Sequence, residues 1–435
     1  MTSTTHSHSS TLNHWYLGIS AVYLFFLLLI LLVFGYTPTN DGNAYIEFAQ
    51  CCLATGDIYP NQATIMGEPF VWNIGQINLV ELSLWLSGSV MPVVVLMCVL
   101  KVTTAYLVAL TGAHLFSPRM GLSALLLYVC YPNNWGQSTT LLSEIPTVCL
   151  CLSAFYLVIS HHRVCSYISA GLLFALSNWF RSTSLIYIGA LTVYYLLFDR
   201  RQIFRRMGSV VGAYTVLTLL IGTSCYLRTG YFITHGNSLW FNFVDNTYIA
   251  DAAPHYGEEF YPKGTARYIA NLHTNTAMQN EAIWRERSLQ WLSKHKVEYL
   301  CRIPLKIVYL YVNDMDNIAA FLPDKSMPEN NYVTFPLRHL LTSWHMLSPV
   351  QWVVFINLVY YYVLLLLFIV SSLYLLRKRP FRTAFLPLFI VVGASVSLMM
   401  TIHAEMRHKA IFMPFIFMVA PVIVKEKHVI TRWLN

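Results

Sequence analysis

The sequence predicts an all-α protein that crosses a membrane about ten times and carries one large domain outside it. Three observations lead to this fold class. Charged residues make up only 11% of the 435 residues, and 56% are apolar or aromatic, whereas ordinary soluble domains are roughly 25% charged. Uncharged runs such as 17–34, 210–227 and 353–376 reach the roughly 20 residues that cross a bilayer core. Backbone inside lipid must satisfy its own hydrogen bonds, so each run is predicted to be helical.

Apolar runs and the segments between them divide the chain into spans and flanking regions. The predicted spans lie near residues 15–36, 90–116, 119–133, 143–160, 165–180, 183–198, 208–227, 350–376, 383–402 and 409–424. The predicted regions are a disordered cytoplasmic tail (1–14), an N-terminal transmembrane module (15–227) with an acidic first outer loop (37–89), a periplasmic outer domain (228–349), the C-terminal transmembrane helices (350–424) and a second cytoplasmic tail (425–435). Segment 74–86 is short for a span and is interrupted by Asn78 and Glu81, so we expect an interfacial helix there.

Basic residues gather at alternate junctions between the spans, and this clustering predicts the orientation. Junctions rich in Lys and Arg, such as 200–206 and 377–382, are expected to be cytoplasmic. The junction 37–89 contains five acidic residues and no Lys or Arg, so it is predicted to face outward together with 228–349. The net charge of +8 therefore reflects span orientation, and no nucleic-acid partner is expected.

The outer domain is polar, with acids and bases in balance, and is long enough to form a small helical unit. Its segment from Ala282 to Val312 has helix-like spacing. Apolar residues from Ile283 to Leu300 are predicted to form a buried stripe on that helix.

The first outer loop opens on Asn40-Asp41-Gly42-Asn43-Ala44-Tyr45, directly after the first span. A carboxylate fixed at a helix boundary beside the bilayer is well placed to take a proton from a hydroxyl whose reaction partner is carried by a lipid. Asx residues also cap helices readily, so Asp41 is equally suited to be the N-cap of a helix through Leu53. The residues alone leave both interpretations open.

Glu144 and Arg181 are charges at the outer ends of spans, where the membrane makes charge costly. Glu144 opens the span 143–160, where the helix dipole favours an anion and where a carboxylate at membrane depth is also a functional candidate. Arg181 lies between two apolar runs on the outer side, against the orientation rule. A guanidinium there can grip a phosphate through two parallel hydrogen bonds. The alternatives for Arg181 are pairing with Glu144 or extension to the interface.

The link between the last two spans reads His403-Ala404-Glu405-Met406-Arg407-His408-Lys409. Arg407, with His408 and Lys409, is suited to a cationic clamp, and a solvated hairpin is the alternative. The histidines that flank Glu405 match no strong zinc-ligand pattern, so no metal site is predicted. Lys101, inside the second span, is interpreted as a side chain that extends to the interface.

The order of these features resembles the GT-C superfamily of polyprenyl-phosphate-sugar-dependent glycosyltransferases, in particular the bacterial relatives of protein mannosyltransferases and aminoarabinose transferases in glycosyltransferase family 39. The matching parts are Asp-Gly-x-x-Tyr at 41–45 with Gly56 and Tyr59, Leu-Ser-Glu-Ile-Pro at 142–146, Gly-Leu-Leu-Phe-Ala-Leu-x-x-x-x-Arg at 171–181, an outer helix 282–312 containing Pro304, and Glu-x-Arg-His at 405–408. The fold that this resemblance implies is a GT-C-like bundle with an outer-face domain.

The resemblance also implies a reaction. A hexosyl or pentosyl group would move, with inversion, from a polyprenyl-phosphate donor to a glycolipid, glycan or protein acceptor on the periplasmic face of a bacterial inner membrane. Asp41 would match the first-loop aspartate, the base that deprotonates the acceptor. Arg181, Arg407 and His408 would stabilise the departing polyprenyl phosphate, whose negative charge rises as the bond breaks.

One position departs from the pattern of the relatives. Many of them carry a second acid directly after the loop aspartate, whereas Gly42 stands there in this chain. This departure argues against metal assistance and leaves Glu47, Glu68 and Glu144 as candidates for a second carboxylate.

Two other functions compete with glycosyl transfer. An O-antigen-type polymerase also spans the membrane many times, but it would need an arginine-rich outer loop, and 37–89 contains no arginine. A lipid-linked-glycan transporter or flippase would place polar residues opposite one another in mid-span. Here the charges collect at the outer ends, with Lys101 as the main exception, so glycosyl transfer is the preferred interpretation.

Overall fold

The computed structural model describes residues 4–248, 267–312, 349–378, 380–401 and 406–425, together with the single residues 314, 317 and 345. Within these ranges the chain forms helices and no β-strand, apart from one isolated bridge between Met66 and Thr276. The predicted all-α fold class is therefore confirmed.

The N-terminal module runs from the first helix to the end of the long helix before the outer domain. Its helices are α1 (Thr4–Phe34), α2 (Asn40–Thr55), α3 (Gln62–Ile65), α4 (Ile74–Ser87), α5 (Met91–Leu115), α6 (Pro118–Val129), α7 (Pro132–Gln137), α8 (Glu144–Ser160), α9 (Val164–Phe180), α10 (Ser184–Phe198) and α11 (Ile203–Thr229), with a 3₁₀ turn at Arg200–Gln202.

The outer domain and the C-terminal helices complete the described chain. The outer domain contributes α12 (Leu239–Tyr248), α13 (Ala277–Lys294) and α14 (Lys296–Tyr311). The C-terminal part contains α15 (Pro349–Lys378), α16 (Phe381–Thr401), a 3₁₀ helix at Met406–Ile411, α17 (Met413–Val419) and α18 (Val422–Lys425).

In the part of the chain that the structure describes, ten apolar helical stretches coincide with the ten predicted spans. Five are long and apolar enough to cross a membrane by themselves, namely Asn13–Phe34, Met91–Leu115, Arg200–Thr229, Trp352–Lys378 and Phe381–Thr401. Five are shorter, namely Pro118–Val129, Glu144–Ser160, Val164–Phe180, Ser184–Phe198 and Met413–Val424. The shorter helices contribute much of the buried core, so packing against neighbours compensates for their length.

Helix boundaries differ from the prediction in two places. α1 begins at Thr4, within the segment 1–14 that was predicted to be a disordered tail. Extending an existing helix costs far less than starting a new one, so the polar residues before the apolar span continue the same helix. The predicted single helix 282–312 is broken at His295, whose φ of −121° and ψ of 34° end α13 and begin α14.

Close helix contacts in the bundle depend on small residues. At Gly121 an added Cβ would lie 2.3 Å from the carbonyl oxygen of Ala109, and at Gly171 it would lie 2.3 Å from that of Val210. Glycine at these two positions therefore lets α6 approach α5 and lets α9 approach α11, as small residues do between membrane helices. α5 also packs against α1 and α8, and the core formed in this way supports the polar groups described next.

Candidate active site

Asp41 lies in the first turn of α2 with its carboxylate directed away from the helix cap. Thr39 is the N-cap, and its Oγ1 accepts the N–H of Gly42 at 3.0 Å. The N-cap interpretation of Asp41 is therefore wrong. Asp41 Oδ2 instead accepts a hydrogen bond from Arg407 Nη1 at 2.9 Å, and 17% of the Asp41 side chain remains exposed.

Gly42 is surrounded so closely that a side chain at this position requires its neighbours to move. An added Cβ would lie 2.8 Å from Thr39 Oγ1 and 2.9 Å from the hydroxyl of Tyr36. The first of these atoms is the capping oxygen, which is not free to move without losing the cap. This packing explains why the second acid of the relatives has no place next to Asp41 here.

Glu144 and Arg181 form a second carboxylate–arginine pair. Arg181 Nη1 donates to Glu144 Oε1 at 2.7 Å, and the Glu144 side chain is fully buried at the start of α8. Within the described residues Glu144 Oε2 has no hydrogen-bond partner. A buried carboxylate oxygen without a partner is costly, and such an atom is a candidate for contacting a ligand.

Hydrogen bonds through Asn73 join the two chain segments that carry the carboxylates. Asn73 Nδ2 donates to the hydroxyl of Tyr45 at 2.9 Å and to Ser143 Oγ at 3.1 Å. Tyr45 belongs to α2, as Asp41 does, and Ser143 directly precedes Glu144. Burial raises the pKa of Tyr45, and the negative charges of Asp41 and Glu144 raise it further. The Tyr45 hydroxyl therefore stays protonated between the two carboxylates.

A small polar cavity that opens to solvent lies beside both pairs. Glu144 and Arg407 line the cavity. Their ion-pair partners, Arg181 for Glu144 and Asp41 for Arg407, are not among the lining residues. Its other lining residues are Lys101, Thr104, Tyr128, Tyr131, Asn133, Asn134, Gln137, Ile145, Val148, Asp314, Asn317, Ala410, Met413 and Pro414. The cavity thus brings together the N-terminal module, the end of the outer domain and the link before α17.

Lys101 was predicted to extend to the interface, and that prediction is wrong. Its side chain is buried inside the bundle and lines the cavity. Lys101 Nζ donates to Asn134 Oδ1 at 2.8 Å and also to Gln137 Oε1. The sequence feature that could have predicted the burial of Lys101 is the group of amide side chains in 133–137. These amides supply partners for a cation that lies about three turns into the second span.

Lys409 and His408 are buried next to Arg407 but are not among the cavity-lining residues. Lys409 Nζ lies 3.0 Å from Asp314 Oδ1, and the hydroxyl of Tyr131 donates to Asp314 as well. Lys409 therefore anchors the turn at Met406–Ile411 to the end of the outer domain. Of the three residues of the predicted cationic clamp, only Arg407 lines the cavity. His403 and Glu405 lie outside the described residues.

The remaining carboxylate candidates lie away from the cavity. Glu47 is exposed on α2, and Glu68 is half-buried in the loop after α3. Burial raises the pKa of Glu68, and the charge of Glu47 raises it further, while His273 lowers it. Across the described part of the chain no group of three or more metal-ligating side chains comes together.

This chain was compared with protein family profiles, with curated sequences and with solved structures. Residues 78–226 match the family profile of dolichyl-phosphate-mannose-protein mannosyltransferases, a segment that includes Glu144 and Arg181 but neither Asp41 nor Arg407. No curated protein matches the chain in sequence.

Three solved structures resemble the fold at low sequence identity. The oligosaccharyltransferase of Archaeoglobus fulgidus tethered with an acceptor peptide containing the NVT sequon has a TM-score of 0.51 at 13% identity, over 97% of this chain and 51% of that one. AglB from the same organism, in complex with an inhibitory peptide and a dolichol-phosphate, has a TM-score of 0.49 at 11% identity, over 97% and 51%. ArnT from Cupriavidus metallidurans bound to undecaprenyl phosphate has a TM-score of 0.45 at 12% identity, over 94% and 78%.

The family segment and the shared fold confirm the predicted GT-C glycosyltransferase resemblance. The chain spans about half the length of the oligosaccharyltransferase chains that it matches.

Proposed function

We propose that this chain, which has the GT-C fold and carries a mannosyltransferase family segment, transfers a sugar from a polyprenyl-phosphate donor to an acceptor hydroxyl with inversion. The observation that carries the proposal is that two carboxylate–arginine pairs, Asp41–Arg407 and Glu144–Arg181, meet at one polar cavity. Such a site places a proton acceptor and cations beside one cavity, which is what displacement of a phosphate from a sugar requires.

Asp41 is the proposed general base. In the reaction the acceptor oxygen forms a bond to the anomeric carbon, and its proton passes to Asp41. The bond between the anomeric carbon and the phosphate oxygen breaks, and its electron pair leaves with the polyprenyl phosphate. The contact to Arg407 and the cap by Thr39 hold the Asp41 carboxylate at a defined position, and such positioning is a large part of catalysis.

Arg407 and Arg181 are the proposed contacts for the donor phosphate. Each arginine uses Nη1 in its ion pair, and a guanidinium carries five N–H groups in a planar fork. Arg181 can therefore contact a phosphate oxygen while it keeps its carboxylate partner, and Arg407 brings a cation to the cavity lining. Negative charge grows on the phosphate as the bond breaks, so these contacts strengthen in the transition state.

Glu144 is the proposed second carboxylate, with a role in holding the sugar. Its Oε2 is buried at the cavity and lacks a partner among the described residues, so it is available to accept a hydrogen bond from a sugar hydroxyl. The amides of Asn133, Asn134 and Gln137 give the same cavity further polar groups of the kind that orient small polar ligands. Glu47 and Glu68, which lie elsewhere, are not part of this proposal, and neither is His408.

The proposed location is a bacterial inner membrane with the cavity facing the periplasm. The acidic loop 37–89 and the basic junctions on the opposite side support this orientation. The proposed acceptor is a hydroxyl of a glycolipid, a glycan or a protein, which would approach from the outer domain 228–349.

The base assignment is tested by sugar transfer in nanodiscs from a defined polyprenyl-phosphate sugar. Replacing Asp41 with Asn keeps the shape of the side chain but removes the proton acceptor, so the transfer rate is expected to fall by roughly 10²–10⁴-fold. Asp57→Asn is the matched control, because it removes an exposed carboxylate from the same loop, and it is expected to keep the parent rate. Parent-like transfer by the Asp41→Asn protein would overturn the assignment.

A further inference from the structure

Helix α14 of the outer domain exposes a face made only of apolar residues. Its outward side chains are Val297 (75% exposed), Leu300 (58%), Leu305 (49%), Val308 (62%) and Val312 just beyond its end (43%). A period of 3.6 residues places all five on one side of the helix. We call this side the α14 apolar face.

The opposite side of α14 is buried and includes the charged residue Lys306, with Tyr299 and Leu310. A helix on the surface of a soluble domain would turn its lysine toward water and its valines inward. α14 instead buries Lys306 and exposes its valines, and its exposed charged residues Lys296 and Glu298 lie at the edges of the α14 apolar face. This arrangement is typical of a helix that lies along an apolar surface with charged residues at its margins. The prediction of a buried stripe that includes Val297 and Leu300 is therefore wrong.

The buried side of α14 holds the helix against the end of a membrane span. Tyr299 donates from its hydroxyl to the carbonyl of Met400, and Lys306 donates to the carbonyl of Met399. Both carbonyls belong to the last turn of α16, where helix carbonyls lack partners within the helix. The hydroxyl of Tyr311 also lies 2.8 Å from Ser395 Oγ. α14 is thereby fixed against the C-terminal end of α16.

We propose that the α14 apolar face is inserted into the membrane, in the leaflet at which α16 ends. Contiguous apolar patches of this kind mark interaction sites, and helices that lie in the interface bury their apolar side roughly 5–10 Å deep. The exposed apolar residues Val392 and Met400 of α16 place apolar surface on the span that holds α14. The lipid surface that covers the spans therefore continues onto the α14 apolar face.

Fluorescence quenching by spin-labelled lipids tests this proposal on the full chain in nanodiscs. In a parent that carries Ser in place of the exposed cysteines Cys51, Cys130, Cys165 and Cys301, a fluorophore is attached through Val308→Cys. A matched reporter is attached through Glu286→Cys, at an exposed polar position on α13. Nitroxides on the lipid tails are expected to quench the Val308 reporter several-fold more strongly than the Glu286 reporter, and a water-soluble quencher is expected to show the reverse order.

Two outcomes would overturn the proposal. Equal quenching of both reporters by the water-soluble quencher would place the α14 apolar face in solvent. Protection of the Val308 reporter from both quenchers would mean that protein covers the face, either a second copy of the chain or another part of the same chain. Each labelled variant is first required to keep the thermal midpoint of its parent, so that misfolding is not mistaken for exposure.

Discussion

Single residues around Asp41 decide where its carboxylate points. Thr39 caps α2, which frees Asp41 from that task, and the close packing at Gly42 keeps the capping oxygen in place. Asp41, Glu144, Arg181 and Arg407 stood out in the sequence because charges at the ends of apolar runs are rare and costly, and the structure pairs them beside one cavity. The same reasoning wrongly directed Lys101 to the interface and did not select Asp314, since the partners of a buried charge depend on tertiary packing.

Substitution of Gly42 with Asp tests the role of this packing. The new Cβ would displace Thr39 Oγ1 or Tyr36, and loss of an N-cap typically costs about 0.5–2 kcal/mol. We expect a lower thermal midpoint together with a transfer rate reduced at least about 10-fold, because the Asp41 carboxylate loses its position. Asn43→Ala, at the exposed neighbouring position, is the control and is expected to behave as the parent. A Gly42→Asp protein with parent-like transfer would contradict the steric argument.

The buried pair Glu144–Arg181 gives a second prediction at this scale. Glu144→Ala leaves Arg181, whose side chain is only 18% exposed, without its partner, and breaking a buried pair typically costs 3–5 kcal/mol. The exposed pair Glu298–Arg302 on α14 is the matched comparison, and Glu298→Ala is expected to cost at most about 1 kcal/mol. Equal losses of unfolding free energy for the two variants would show that burial does not strengthen the first pair.

At the scale of elements, the apolar spans could be predicted from the sequence and the outer domain could not. A charge-free run has one stable arrangement in lipid, so the positions of α5 and α11 followed from composition. The outer helices lack such a constraint. The side of α14 that is buried is the side that contacts α16, which lies about a hundred positions further along the chain.

Glu281 of α13 provides a pH test of the outer domain. It is buried, its Oε1 accepts the N–H of Trp240 at 2.8 Å, and burial raises its pKa to about 7. In the unfolded chain its pKa is near 4.5, so the unfolded state loses this proton first as the pH rises. The folded domain is therefore expected to lose stability between about pH 4.5 and pH 7, by an amount on the order of 3 kcal/mol.

Replacing Glu281 with Gln isolates this effect. The amide still accepts the N–H of Trp240 but cannot ionise, so the difference in thermal midpoint between the variant and the parent is expected to grow in favour of the variant from pH 5 to pH 8. Glu286→Gln, at an exposed position of the same helix, is expected to leave the pH profile unchanged. A pH-independent difference for Glu281→Gln would mean that the carboxylate is not the titrating group.

For the whole molecule, the predicted order of spans corresponds to the observed helices. Each apolar run forms a helix independently of the others, because its backbone must satisfy its own hydrogen bonds in lipid. The cavity is different, since α5, α7, α8, residue 314 and the turn at Met406–Ile411 contribute to it together. The cavity exists because of the way in which the apolar helices pack against one another, and that packing cannot be read from composition. Apolar pattern therefore predicts the helices, and tertiary contacts decide which polar groups share one space.

The Asp41–Arg407 contact joins residues 366 positions apart, and this separation bears on how the protein is made. A ribosome delivers α2 long before the link at Met406–Ile411, and membrane helices enter the bilayer as they emerge. During that interval the first loop is already on its side of the membrane without its arginine partner. The contact is thus completed only when the last helices insert, and under the proposed function an unfinished chain would be unable to consume a lipid donor.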